Sequence, residues 1–472
     1  MKKISISIGV LTLLSFTFGA CNKQLNVYPS TQEVDGRIIT DTKSATTALN
    51  GVYYQFAYGS TDYNSVPSTK WYLVNEEIPS ELSGMFTNIS TTTLGDHTYN
   101  ATTYGMDFIW NYGYSIVNTA NGFLKNIAPV SSISANSKRE MIAEAKFLRA
   151  FGNSQLLLYY GQYYDTTSAY GIILHTEFVT PDDIYMPRTS VAAAYDSILS
   201  DLNNAIPDLP NTNSSIAYAN TWVAKLLKAR VLINHGSAAD YAQVISLTKD
   251  IIANSPFTLE ANTKDIFLSK ALTSQEVMLG ITPFPNQTIK WSDYIYYVQD
   301  GPSPFMDGLF NGDPRTPWYI KNIPTNYGTY EGLTKYYPGD VVNATAAPIS
   351  ENCYAFRLTE AYLLEAEALV ASGGSMADAR ALLKTVMSHA GFTDFSGVDA
   401  ATTTSDLQLL IVEEEMKNFV GEAGQDWFAV RRLPFATLQS LLPNVTNQSL
   451  LILPIPESEI TSNGKIKQNP NY

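Results

Sequence analysis

Residues 134–161 read SANSKREMIAEAKFLRAFGNSQLLLYYG and place Ile142, Ala145, Leu148, Ala150 and Phe151 on one face of a helix. Asn136 or Ser137 is available to cap it, with Glu140 in the first turn. The same periodicity returns in pairs. SVAAAYDSILSDLNNAIPDLP and ANTWVAKLLKARVLINHG form one pair, and DYAQVISLTKDIIANS follows after a short gap. FRLTEAYLLEAEALVASGG and MADARALLKTVMSHAG form another, broken at Gly373 and Gly374, because glycine accepts the left-handed conformation that stops a helix. Ala224, Ala229, Ala361, Ala366, Ala368, Ala379 and Ala381 fall where two helices must approach closely.

This arrangement resembles a tetratricopeptide array, in which a small residue per helix lets each pair pack tightly. Two further helices fit the pattern. DTKSATTALNGVYYQFAYG sets Ala45, Ala48, Leu49, Val52 and Tyr53 at helical spacing, and DFIWNYGYSIVNTANGFLKNIA repeats Phe108, Ile109, Tyr112, Ile116, Ala120, Phe123 and Leu124. The expected fold is therefore mostly α: tetratricopeptide-like antiparallel helix pairs with long loop-rich insertions near 59–105 and 250–350. EVMLGI is one of a few short strands. Long insertions in a helical scaffold are where function usually sits.

The amino terminus reads as an export leader. MKK supplies two positive charges, and ISISIGVLTLLSF is too short for a stable membrane span. Phe18, Gly19, Ala20 and Cys21 then resemble the bacterial lipobox, with Phe18 where Leu is preferred. That pattern implies cleavage before Cys21 and acylation of it. Residues 1–20 are thus expected to be a lipoprotein signal peptide, 21–40 a tether and lead-in, and 41–472 a single domain. Each buried CH₂ contributes ~0.8 kcal/mol, so two or more acyl chains hold a soluble body on a membrane. The other cysteine, Cys353 in ENCYAF, is expected to be a small buried hydrophobe.

The net charge of -14 argues against nucleic-acid binding, which needs a basic surface. His97, His175, His235 and His389 are scattered, and no HExxH, CxxC, GxSxG, phosphate loop or EF-hand pattern occurs, so neither a metal nor a catalytic site is expected. Glu76–Glu77, Asp182–Asp183 and Glu413 to Glu415 are expected on the solvated surface.

Taken in order, the motifs resemble the SusD/RagB family of outer-membrane nutrient-binding lipoproteins from Cys21 to Tyr472. They are the lipobox, LNVYPST, ATTALNGVYYQF, WNYGYSIVNTAN (Trp110 to Asn121) and EAKFLRA, with Glu144 and Arg149. RTSVAAAYDSILSDLNNAIPDLP follows, then FRLTEAYLLEAEAL with Arg357, Glu360 and Glu367, and the ending LPIPESEI…QNPNY. Glu415 and Asn418 stand where the family often has Arg and Glu, and Ala429 where Asp is common, which implies a weakened internal ion-pair network. The resemblance implies a cell-surface, lipid-anchored protein of the outer membrane. It would capture an oligosaccharide, or in some members a peptide, and pass it to a SusC-like TonB-dependent transporter. Family members are not enzymes, and no cofactor is implied.

Sugar rings have apolar C–H faces that stack on aromatic rings beside polar partners for their hydroxyls. The less helical segments supply such rings: Trp71 and Tyr72 in STKWYLVNEE, Trp291, Tyr294, Tyr296 and Tyr297 in KWSDYIYYVQD, and Trp318 and Tyr319 in DPRTPWYIKN. Tyr294, Tyr296 and Val298 also fit one face of a strand. Trp110, Trp222 and Trp427 lie in helical patterns and are expected in the core. Two other readings stay open: a tetratricopeptide-like lipoprotein binding peptide or protein, and a hydrolase, which requires two carboxylates about 5 to 10 Å apart in a pocket.

Overall fold

A computed structural model of the chain describes residues 38–61, 67–213 and 215–472. The leader, Cys21 and nearly all of the tether lie outside the described residues. Nine long helices occur among the described residues: α1 Thr42–Ala57, α2 Met106–Ile127, α3 Ala135–Tyr160, α4 Val191–Ala205, α5 Thr221–His235, α6 Ala238–Asn254, α7 Leu358–Ala371, α8 Met376–His389 and α9 Thr404–Phe419. They stack in chain order. α1 and α3 pack on α2, α4 on α3, α5 on α4, and α6 on α5; α7 then joins α6 to α8 and α9.

Local chemistry sets the helix ends. Asp41 and Ser44 form a reciprocal capping box at α1. Ser134, rather than Asn136 or Ser137, caps α3, accepting from the Ser137 N–H at 3.2 Å. Gly373 takes φ +69° after α7, as the break in the pattern requires. Ala224, Ala229, Ala361, Ala366, Ala368 and Ala379 are buried at helix contacts, but Ala381 is exposed because it faces away from α7. The crossing of α2 on α3 is made close by glycine. A Cβ added at Gly113 would lie 2.6 Å from Leu156 Cγ, and one added at Gly152 would lie 3.0 Å from the Gly113 carbonyl oxygen.

The motif residues hold this array together. Arg149 on α3 pairs with Asp201 on α4 at 2.7 Å and donates to Asn121 Oδ1 on α2 at 2.8 Å. Arg230 on α5 forks onto buried Glu360 on α7. Arg357 is buried between Glu276, at 2.7 Å, and Glu422. Arg432 bridges Glu367, at 2.7 Å, and Glu415. Arg315 binds Asp313 at 2.7 Å and Glu414 at 2.8 Å, and Asn418 donates to Glu414 at 2.8 Å. Glu415 and Asn418, the two departures expected to weaken the network, lie inside it: Glu415 shares Arg432 with Glu367, and Asn418 bonds to Glu414. The acidic run 413–415 is corrected: Glu414 and Glu415 are interior and paired, whereas Asp182 and Asp183 are solvated.

Among the described residues, four two-stranded antiparallel ribbons trim the helices. β1 Gly59–Thr61 pairs with β2 Pro67–Thr69, and β3 Phe86–Asn88 with β5 Asp300–Pro302. β4 Val277–Ile281 pairs with β8 Cys353–Arg357, and β6 Ile320–Thr325 with β7 Gly328–Leu333. EVMLGI is thus the fully buried β4. Cys353 opens β8, fully buried, and burial pushes its thiol well above the usual range, with Glu76 adding to the rise. The β3–β5 ribbon ties the first insertion to the second. Residues 70–82, expected to be loop, form a helical run that passes through a wide turn at Leu73–Glu77. That turn carries Glu76 into the interior, where it meets buried Lys290 at 2.9 Å.

Candidate functional site

The second insertion folds around residues 287–297. The Glu351 carboxylate accepts the N–H groups of Lys290, at 3.1 Å, and Trp291, at 2.8 Å, so an acidic side chain caps the start of a helical turn. Lys290 reaches the Asn352 carbonyl at 2.9 Å and lies 3.6 Å from the centre of the Tyr336 ring. Gln287 links the turn to Thr69 at the end of β2, donating to its Oγ1 at 2.6 Å. Residues 292–296 continue as a wide helical turn rather than a strand. Its period puts Tyr294 inside and Tyr296 outside.

The sequence supplies eight candidate rings in these segments, and the structure divides them. Trp71 packs against Phe56 and Phe151, with ring centres at 5.2 and 5.8 Å. Tyr72 donates to Asp293 Oδ2 at 2.8 Å and sits edge-on to Tyr294. Tyr294 is enclosed by Tyr72, Phe86 and Tyr336. Trp318 lies on Phe267 and Tyr319, and Tyr319 lies on Phe310. All five are buried and offer no open ring face to a ligand arriving from solvent. They are corrected to packing residues, because aromatic side chains in long insertions gain most by closing over the scaffold. Trp110, Trp222 and Trp427 are buried, as expected.

Trp291 and Tyr296 are placed differently. Trp291 is half-buried and leans on Tyr296, with ring centres 5.1 Å apart and planes at 32°. Tyr297 meets Tyr296 edge-on at 4.7 Å. Tyr296 and Tyr297 are 44% and 46% exposed. Polar groups follow at once in the chain: Gln299 donates to Ser90 Oγ at 2.8 Å and to Asn88 Oδ1 at 3.0 Å. At the other end of the segment, Phe284 contacts Tyr58 at 4.5 Å, and Tyr58 contacts half-exposed Tyr54 at 5.9 Å. Sequence reasoning passed over Tyr54, Tyr58 and Phe284; the first two lie at the end of α1, and only the fold shows that this end is open.

Beneath the rings lies a carboxyl-rich interior. Burial pushes Asp293 up to about 6, against the hydrogen bond from Tyr72. Burial, then repulsion from neighbouring carboxyls, pushes Glu81 and Asp300 up to about 8 and Glu77 well above its usual range. A separate cleft of about 410 Å³ runs between α2 and the 173–184 loop, lined by Trp110, Asn111, Tyr114, Asn118 and His175. Its polar groups are engaged internally, Tyr114 with Ile173 and Asn118 with the Val179 N–H. The rings of Tyr296 and Tyr297 are more open to solvent than Trp110 and Tyr114 in the cleft, which makes the 291–297 segment the stronger candidate site.

Two family models match, one described as starch-binding and associating with the outer membrane over residues 63–232, the other as the SusD family over 310–441. A SusD-like protein of Bacteroides ovatus is 23% identical over 58% of this chain, and the match spans 57% of that relative's length. A SusD superfamily structure from Bacteroides thetaiotaomicron is 21% identical and superposes with a TM-score of 0.74, covering 92% of this chain and 100% of that one. A laminarin-binding SusD-like protein is 20% identical and superposes with a TM-score of 0.69, covering 92% and 100%. The chain belongs to the SusD/RagB family, a glycan-binding family associated with the outer membrane.

Proposed function

We propose that this protein is a cell-surface lipoprotein that captures an oligosaccharide and delivers it to a SusC-like TonB-dependent transporter of the outer membrane, binding its ligand without chemical change. The observation that carries the reading is the Trp291–Tyr296–Tyr297 group, in which half-buried Trp291 leans on exposed Tyr296 and Tyr297, with Gln299 two residues further along the chain. Such rings cover the apolar face of a sugar while neighbouring amides and hydroxyls meet its hydroxyl groups. Trp291→Ala and Tyr296→Ala are each expected to weaken oligosaccharide binding tenfold or more, ~1.4 kcal/mol, in calorimetric titration. Unchanged affinity in both variants would remove these rings from the site. A peptide that competes for the same rings would redirect the reading to a peptide-binding member.

In this reading residues 1–20 are the leader, lipidated Cys21 and the tether to residue 40 hold the protein at the membrane, and 41–472 form one binding body. Among the described residues no helix is long and apolar enough to cross a membrane. Cys21→Ser is expected to move the protein from the membrane pellet to the supernatant. A variant that still pellets with membranes argues against the anchor.

A further inference from the structure

We propose that Glu77, Glu81 and Asp300 form a divalent-cation site of the calcium type that clasps the two insertions together. Glu77 and Glu81 stand one turn apart in the helical run 70–82, and Asp300 starts β5, directly across the ribbon from Asn88 on β3. One carboxylate oxygen from each of the three residues lies within 4.8 Å of those of the other two. Calcium binds oxygen at about 2.4 Å, which puts opposite ligands about 4.8 Å apart. The three oxygens therefore fit around one ion with little movement.

The side chains are placed as ligands rather than as ion pairs. Glu81 is only 3% exposed and lines a cavity, with no salt bridge to its carboxyl among the described residues. Asp300 is fully buried; its Oδ1 accepts from Asn88 Nδ2 at 2.9 Å, and its Oδ2 has no partner. The charged groups acting on the three residues are themselves acidic: each other and Asp293. Every other strongly buried acidic cluster described above holds an arginine or lysine, and this one holds none. Ionising three buried carboxyls side by side is costly, so without a cation they hold their protons; a bound ion supplies the missing positive charge and displaces those protons. Glu81 and Asn88 also line a cavity of about 200 Å³ with Thr87, Thr92 and Asp96, which gives room for the water ligands calcium needs beyond three carboxylates. Spacing could not reveal the site, because Asp300 lies far from the two glutamates in sequence.

The test uses the full chain in detergent, stripped with a chelator, then titrated with CaCl₂ while Tm is followed and bound Tb³⁺ luminescence is displaced. Calcium is expected to raise Tm saturably by a few degrees. Glu81→Gln and Asp300→Asn are each expected to abolish that rise and to cut Tb³⁺ affinity tenfold or more. Both variants remain informative about folding, since without metal each is expected to melt no lower than the stripped parent, because each takes an ionisable group out of a crowded carboxyl cluster. No calcium-dependent rise in the parent, or a rise retained in both variants, overturns the site. Neither result bears on whether the rings at 291–297 bind a glycan.

Discussion

Arg357→Met is expected to destabilise the protein by about 3–5 kcal/mol, read as a large drop in urea midpoint. The guanidinium is 0% exposed and serves two elements at once. It pairs with Glu276 at 2.7 Å beside β4 and with Glu422 after α9, and donates to the Asn418 carbonyl at 3.2 Å. Burial alone would raise the Glu422 carboxyl, but Arg357 and Lys335 together hold it below its usual value. Methionine fills similar volume, so the loss is electrostatic and not a cavity. Glu276 would keep only the Thr359 hydroxyl and the Glu260 N–H, at 3.0 Å. Glu422 would keep Lys335, at 2.8 Å. Adding Glu276→Gln to Arg357→Met should recover part of the loss, because the stranded charge is gone. A single-variant loss below about 1 kcal/mol would contradict the role assigned to this pair.

Glu144 is expected to make the fold weaken as pH rises from 5 to 8. Burial raises its carboxyl to about 7, against the hydrogen bond from Tyr53, whose hydroxyl donates to Oε2 at 2.5 Å. Nearby Glu140 adds to the rise. The folded state thus holds this proton more tightly than the unfolded chain does. Its stabilising contribution is complete below about pH 4.5, falls as pH climbs through about 7, and is absent above that. The shift corresponds to roughly 3 kcal/mol. Glu144→Gln keeps an acceptor for Tyr53 but cannot ionise. Denaturation midpoints at pH 5 and pH 8 should therefore diverge less in the variant than in the parent. Equal divergence would show that Glu144 ionises freely in the fold.

The helices were legible because one apolar face repeated for several turns in each. The 70–82 run was not, because its wide turn shifts the period and drives Glu76 inward. The motifs that mark the family turn out to be internal locks: Arg149, Glu360 and Arg357 join helices and strands, and none faces the exposed rings. The candidate site was half legible. Sequence located the aromatic-rich segments but could not say which rings point outward. With 30 tyrosines in the chain, many serve as core residues whose hydroxyls find internal acceptors, as Tyr112 does on the Phe56 carbonyl at 2.7 Å. The carboxyl cluster was illegible because the β3–β5 register, a long-range pairing, assembles it.

Cys353 has a practical consequence. In the proposed lipidated form, Cys353 is the one thiol left in the chain, since the sequence contains two cysteines. It sits at the start of β8, shielded and held in its unreactive protonated form. A thiol reagent can reach it only when the β4–β8 ribbon separates. The molecule therefore comes with its own timer: the rate at which this sulfur is modified reports how often the centre of the fold opens, with no added label.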